Sequence, residues 1–229
     1  MSAQKINAIL FDLDGTLVDS LRDIAGAMNR VLRNRGYPTH PESDYRNFVG
    51  DGMTVLAERV LPPPDNANPD RIRACVADMR KQYARCWRDH AVPYPGIPEL
   101  LDALVEQNIH VGILSNKPEP FTVEMVATVF PEIPFRTVRG AREGVPVKPD
   151  PAAALEILEE WRLPAEQVLY AGDTNTDMRT GKRAGMWTFG VTWGFRNREE
   201  LEDSGADRIV DHPSGILHAL TETAGVPHD

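Results

Sequence analysis

A chain of 229 residues, 41% hydrophobic and 26% charged, has enough apolar material for a core and no signature of disorder. At ~100–200 residues per domain, that length suits one main domain carrying an insertion. The formal net charge of −9 argues against nonspecific binding to nucleic acid or to anionic membranes.

The polar stretch before residue 6 has neither the charged region nor the longer apolar region of a signal peptide. Residues 6–11 (INAILF) then form a short apolar run ending in Asp12, as a buried parallel strand would. From about Ser20 to His90 no strand pattern appears. Helical segments are predicted at 21–35, 53–61 and 69–89, divided by the turn-rich GYPTHPE (36–42) and PPPDNANP (62–69). That stretch reads as a helical insertion after the first strand. It holds 12 Arg and Lys against 9 Asp and Glu, a balance of +3, whereas the remainder balances at −12. The two cysteines, Cys75 and Cys86, would lie roughly 16 Å apart along one helix, too far for a disulfide. The expected compartment is therefore the reducing cytoplasm. No apolar run approaches the ~18–20 residues needed to span a bilayer.

Beyond residues 93–96 strands and helices alternate. Strand runs are predicted at 109–114, 167–171 and 186–191, with a weaker one at 135–138, and helices at 97–106, 120–129, 151–161 and 175–184. Such alternation predicts βαβ units and an α/β fold, a doubly wound Rossmann-like parallel sheet with helices on both faces.

Polar clusters stand at the ends of these strands, where an open α/β sheet places its ligands. Asp12-Leu13-Asp14-Gly15-Thr16 follows the first strand, with Gly15 giving the backbone freedom to bend. Ser115-Asn116-Lys117 follows VGIL, Lys148-Pro149-Asp150-Pro151 precedes a helix, and Gly172-Asp173-Thr174-Asn175-Thr176-Asp177 follows VLYA. Each has an ordinary alternative as a capped turn or helix start, with Ser20, Ser115 or Asp150 as caps. Together they describe chemistry. Asp12, Asp14 and Asp173 offer hard oxygen ligands that suit Mg²⁺, and crowded carboxylates call for a cation. Lys148 adds positive charge, and Ser115 a hydroxyl, for developing negative charge. A carboxylate nucleophile, a second carboxylate for proton transfer, a magnesium ion and a lysine describe phosphoryl transfer through an aspartyl-phosphate.

FDLDGTLVDS, SNKP, VKPDP and GDTNTD, in that order and spacing, resemble the four motifs of the haloacid dehalogenase superfamily of phosphohydrolases. The likeness covers nearly the whole chain. It implies Asp12 as nucleophile and Asp14 as general acid/base, with Ser115 and Lys148 holding the phosphoryl group. It implies Mg²⁺ bound by the Asp12 side chain, the Asp14 main-chain carbonyl and Asp173, with Asp177 behind them. The dehalogenase branch works without magnesium and lacks the aspartate two residues after its nucleophile, so Asp14 points to phosphatase or mutase. The insertion resembles the family's cap, giving core segments at 1–18 and 93–229, a helical cap at 19–92, and hinges near 18–20 and 92–96.

Within the insertion, Arg46-Asn47-Phe48-Val49-Gly50-Asp51-Gly52 resembles the cap segment of phosphoglycolate phosphatases. Gly50 and Gly52 would let backbone N–H groups approach an anion. Arg46 would pair with a substrate carboxylate in a fork, or else form a salt bridge with Glu42 or Asp44. Asn116 is a further expected substrate contact. Asp51 departs from the family pattern, and its charge should oppose a carboxylate-bearing substrate. The six histidines, His228 among them, show no metal spacing, and the tryptophans read as core or interface residues.

The sequence thus predicts a Mg²⁺-dependent phosphomonoesterase acting on a small anionic phosphometabolite, with 2-phosphoglycolate the leading candidate. A phosphosugar mutase resembling β-phosphoglucomutase, a pyrophosphatase or nucleotidase on the same scaffold, and a non-catalytic interaction module are the alternatives. The expected partners are a small phosphorylated metabolite and a second copy of the chain in a homodimer, with no nucleic acid and no membrane.

Overall fold

The structure is a computed structural model and describes residues 5–225; residues 1–4 and 226–229, His228 included, lie outside the described residues. Strand β1 (Ala8–Phe11) leads through a loop to β2 (Val18–Asp19). Helices α1 (Leu21–Asn34), α2 (Tyr45–Phe48), α3 (Gly52–Val60) and α4 (Pro69–Cys86) follow, and β3 (Val92–Pro93) returns the chain. Next come α5 (Ile97–Glu106), β4 (His110–Pro118), α6 (Glu119–Val129), β5 (Thr137–Ala141) and α7 (Ala152–Trp161). The chain finishes with β6 (Val168–Gly172), α8 (Asn175–Ala184), β7 (Trp187–Val191), α9 (Arg198–Asp203), β8 (Arg208–Val210) and α10 (Ser214–Gly225).

Six strands form one parallel sheet in the order β5-β4-β1-β6-β7-β8. All four residues of β1 are buried, which is why its sequence is continuously apolar rather than alternating. Ile9 and Phe11 face one apolar cluster, shared with the helices of the insertion and α5. Ala8 and Leu10 face a second, with Ile157, Trp161 and Tyr170. Phe11 stands opposite Ile113 on one side and Ala171 on the other, so the carboxyl ends of β4, β1 and β6 come out level.

Between β2 and β3 the described regular structure is helical. α1 buries Ile24, Ala27, Met28 and Val31, spaced so that they share one face, and meets α4 where Cys75 Sγ lies 3.8 Å from Met28 Sδ. α4 starts cleanly: Asn68 Oδ1 accepts the N–H groups of Asp70 and Arg71 at 3.0 and 3.2 Å, and Pro69 takes the first turn. Both cysteines lie on α4, buried and free. β2 and β3 pair antiparallel, Val18 with Pro93 and Asp19 with Val92, so the chain leaves and re-enters the sheet at one place.

α2, α9, β8 and α10 were not anticipated. Each is short or weakly patterned; α9 (REELED) buries only Leu201. Trp87 and Trp161 are core residues, whereas Trp187, at the outer end of β7, is 44% exposed. Among the described residues no helix is long and apolar enough to cross a membrane.

Candidate active site

The level strand ends bring the polar clusters together. After β1 the chain turns at once: the Leu13 carbonyl accepts the N–H groups of Leu17 and Val18, both at 3.0 Å. Gly15 takes φ +88°, and a Cβ there would lie 2.3 Å from Asp173 Oδ2. Only glycine lets the loop after β1 close against the loop after β6. Asp173, past the end of β6, is held by Thr16 Oγ1 donating to Oδ1 at 2.9 Å and Phe195 N–H donating to Oδ2 at 2.8 Å. Asp177, in the first turn of α8, accepts on Oδ2 from the Thr174 N–H and hydroxyl at 3.0 and 2.8 Å.

Asp12, Asp173 and Asp177 form a buried cluster whose ligand oxygens all lie within 4.8 Å of one another. Lys148 stands at its edge, its Nζ 2.9 Å from Asp12 Oδ1 and 2.7 Å from Asp177 Oδ1. Burial pulls the lysine's proton affinity down, but Asp12 and Asp177 outweigh it and hold the ammonium well above its ordinary range. Burial, opposed by Lys148 and reinforced by Asp177, raises Asp12 to about 7. Burial, with Asp177 and Asp12 beside it, pushes Asp173 well above the carboxylate range. The donor set is all hard oxygen, and Asp12 Oδ1 is buried and paired with the Lys148 ammonium. A hard divalent cation fits such a set.

Asp177, expected behind the metal ligands, lies in the same buried group, with Oδ1 paired to Lys148 and Oδ2 accepting from Thr174. The Asp14 carboxylate is elsewhere. Lys117 Nζ donates to both of its oxygens at 2.8 and 2.9 Å, and Ser20 Oγ donates to Oδ1 at 2.5 Å. Ser20 therefore does not cap α1.

Ser115 is buried on β4, its Oγ accepting the Lys117 N–H at 3.2 Å. Asn116, expected to bind substrate, is a bracket. Its Nδ2 donates to the carbonyls of Gly50 and Lys148, both at 3.0 Å, and its Oδ1 accepts the Lys148 N–H at 2.9 Å. Arg46, expected to meet a carboxylate, instead donates through Nη1 to the Gly194 carbonyl at 3.0 Å. Arg196 Nη2 reaches back to the Val49 carbonyl at 2.9 Å, and Thr176 Oγ1 donates to Asp51 Oδ1 at 2.8 Å. Residues 46–51 are thus clasped onto the strand ends. Asp51 also pairs with Arg59 at 2.7 Å, so its charge is compensated.

A cavity lies beside the strand ends. Asp12, Asp14, Ser115, Asn116 and Lys117 line one wall; Gly50 and Gly52, with Ile24, Val49, Met53, Leu56, Met79 and Tyr83, line the other. The sequence reading missed Lys117 and Tyr83 as functional residues. The lysine of the SNK cluster directly after the apolar VGIL run was the available signal, since a buried ammonium requires a carboxylate partner.

The family described as haloacid dehalogenase-like hydrolase matches residues 9–191. The chain is 31% identical over 228 residues to a phosphoglycolate phosphatase of Vibrio parahaemolyticus, covering 98% of this chain and 100% of that protein. It is 31% identical to one of Pseudomonas putida, covering 94% of this chain and 80% of the relative. A haloacid dehalogenase-like family hydrolase from Streptococcus pneumoniae superposes with a TM-score of 0.84 at 26% identity, covering 93% of this chain and 98% of that one.

Proposed function

The chain belongs to the haloacid dehalogenase-like hydrolase family, and from that premise we propose that it is a Mg²⁺-dependent phosphomonoesterase working through an aspartyl-phosphate on Asp12. The observation that carries the reading is the Asp12 carboxylate itself. It lines the cavity, pairs through Oδ1 with Lys148 at 2.9 Å, and belongs to one buried group with Asp173 and Asp177.

In the proposed cycle an Asp12 oxygen bonds to phosphorus as the bond from phosphorus to the leaving oxygen breaks, and protonated Asp14 gives that oxygen its proton. Asp14 then takes a proton from water as the water oxygen bonds to phosphorus. The bond from phosphorus to Asp12 breaks, and inorganic phosphate leaves. Lys148 and the Ser115 hydroxyl hold the phosphoryl oxygens. Asp12, Asp173 and the Asp14 main-chain carbonyl would hold Mg²⁺, with Asp177 fixing Lys148 beside it. When bound, the ion supplies positive charge against the crowded carboxylates and the phosphoryl group. Residues 19–92 would act as the cap that excludes water from the cavity.

The substrate proposed is a small phosphorylated metabolite, and the names of the relatives favour 2-phosphoglycolate. Its carboxylate would meet the backbone at Gly50–Gly52, where α3 begins, rather than Arg46. Phosphate release with Mg²⁺ across metabolite phosphates, 2-phosphoglycolate and hexose phosphates among them, tests the reading. Asp12→Asn is expected to abolish turnover with the fold intact; turnover near wild type overturns it, and isomer formed without free phosphate would make the enzyme a mutase.

A further inference from the structure

Two lysines are buried among the described residues, Lys117 and Lys148, and the cycle above uses only Lys148. The Lys117 side chain is 3% exposed. An ammonium has three protons to place, and here two go to the oxygens of Asp14 and the third to the Tyr83 hydroxyl at 2.7 Å. Tyr83 belongs to α4, on the far side of the cavity from β4. Its ring lies under the same ammonium, 4.6 Å from centroid to Nζ, and packs edge-on against Phe121 at 5.3 Å. The remaining donor to Asp14, Ser20, precedes α1. Asp14 is therefore oriented from β4 and from both ends of the helical insertion.

We propose that Lys117 and Tyr83 are positioning residues that hold the Asp14 carboxylate in its working orientation, and that Tyr83 makes this hold depend on the insertion being seated on the sheet. Lifting α4 away would take from the Lys117 ammonium its third acceptor and the aromatic face beneath it, and let water in their place. Lys117 would then be free to swing, and Asp14 with it. Geometry delivers proton transfer only where the donor lies within reach of the leaving oxygen. The inference rests on the acid/base role proposed for Asp14. A purely structural Lys117, present only to neutralise a buried carboxylate, would change stability without changing which esters are cleaved.

Tyr83→Phe separates the two, because it removes the hydroxyl and keeps the ring. Steady-state phosphate release with Mg²⁺ is measured on 2-phosphoglycolate, whose alkoxide must be protonated to leave, and on 4-nitrophenyl phosphate, whose nitrophenolate need not be. The expected result is a fall in kcat/KM on the alkyl ester of about tenfold, the ratio that covers the steps up to departure of the leaving group, with a loss on the nitrophenyl ester several times smaller. Lys117→Arg, which keeps the charge but not the three-way placement, is expected to show the same selective loss. An equal loss of kcat/KM on both esters, or no loss in Tyr83→Phe, overturns the inference. Asp14→Asn in the same assays reports on the underlying reading. If it cleaves the alkyl ester normally, the acid/base role falls and the inference with it. If it is inactive there while Tyr83→Phe keeps the wild-type ratio, the inference alone falls.

Discussion

Lys148 is buried between two carboxylates, within 2.9 Å of each, so what it contributes to stability is mainly what its removal would expose. Lys148→Met keeps the bulk and leaves Asp12 and Asp177 without their shared cation. A loss of about 3–5 kcal/mol in urea unfolding is expected, together with loss of turnover; a variant as stable as wild type would show that the carboxylates do not depend on this lysine. At this scale the sequence was readable where a residue's place follows from a strand ending. Asp12, Lys148 and Asp173 were legible because nearby apolar runs fix where the polar side chains emerge. Arg46, Asn116 and Lys117 were not, because their partners are set by the tertiary fold. Arg46 bonds to a carbonyl 148 residues away, and no local pattern announces it.

Elements were legible in proportion to the length of their periodic patterns. α5 and α8 span the predicted 97–106 and 175–184, whereas β8, three residues long, offers too little pattern to read. β4 runs four residues past the predicted 114, with a register shift against β5 between Leu114 and Pro118. That extension carries Ser115, Asn116 and Lys117 over the cavity. Two predictions belong here. Arg196→Ala removes the donor to the Val49 carbonyl and should loosen the clasp over residues 46–51. KM is expected to rise severalfold, more than kcat falls, with faster amide exchange in α3; unchanged exchange would contradict the clasp. The second concerns the edge of the sheet, where Asp207 accepts from the Thr188 N–H and hydroxyl at 2.8 and 2.9 Å and pairs with Lys182. Burial alone would raise this carboxyl, but these donors outweigh it and lower it below its usual range. A depressed carboxylate stabilises the fold above the unfolded value of 3.8, and that contribution fades as pH falls through the folded value. Asp207→Ala is therefore expected to cost about 1 kcal/mol near neutrality, with the gap in Tm from wild type closing below about pH 4. A gap that does not depend on pH would refute the assignment.

Across the whole molecule, the helical stretch between β2 and β3 was visible because strand patterns stop and charge changes sign between residues 20 and 90. The strand order β5-β4-β1-β6-β7-β8 was not, since pairing partners lie far apart in sequence and register is fixed only on assembly. Assembly also creates the crowding of Asp12, Asp173 and Asp177, and this is the sense in which folding and cation binding are linked. A ligand bound only by the folded state stabilises it by mass action. Mg²⁺ at about 100 times its dissociation constant should therefore add roughly 3 kcal/mol, several degrees in Tm for a chain of this size. Asp173→Asn should lose most of that gain. An equal gain in the variant would place the ion elsewhere.

In the proposed cycle Asp12 carries the phosphoryl group between two half-reactions. Sodium borohydride reduces an acyl phosphate to the alcohol, so turnover quenched with borohydride in the presence of Mg²⁺ and a reactive phosphate ester should mark the residue that bore it. Peptide mass mapping is expected to find Asp12 converted to homoserine only in turning-over samples. Conversion at another carboxylate, or none while phosphate is released at the normal rate, would contradict it.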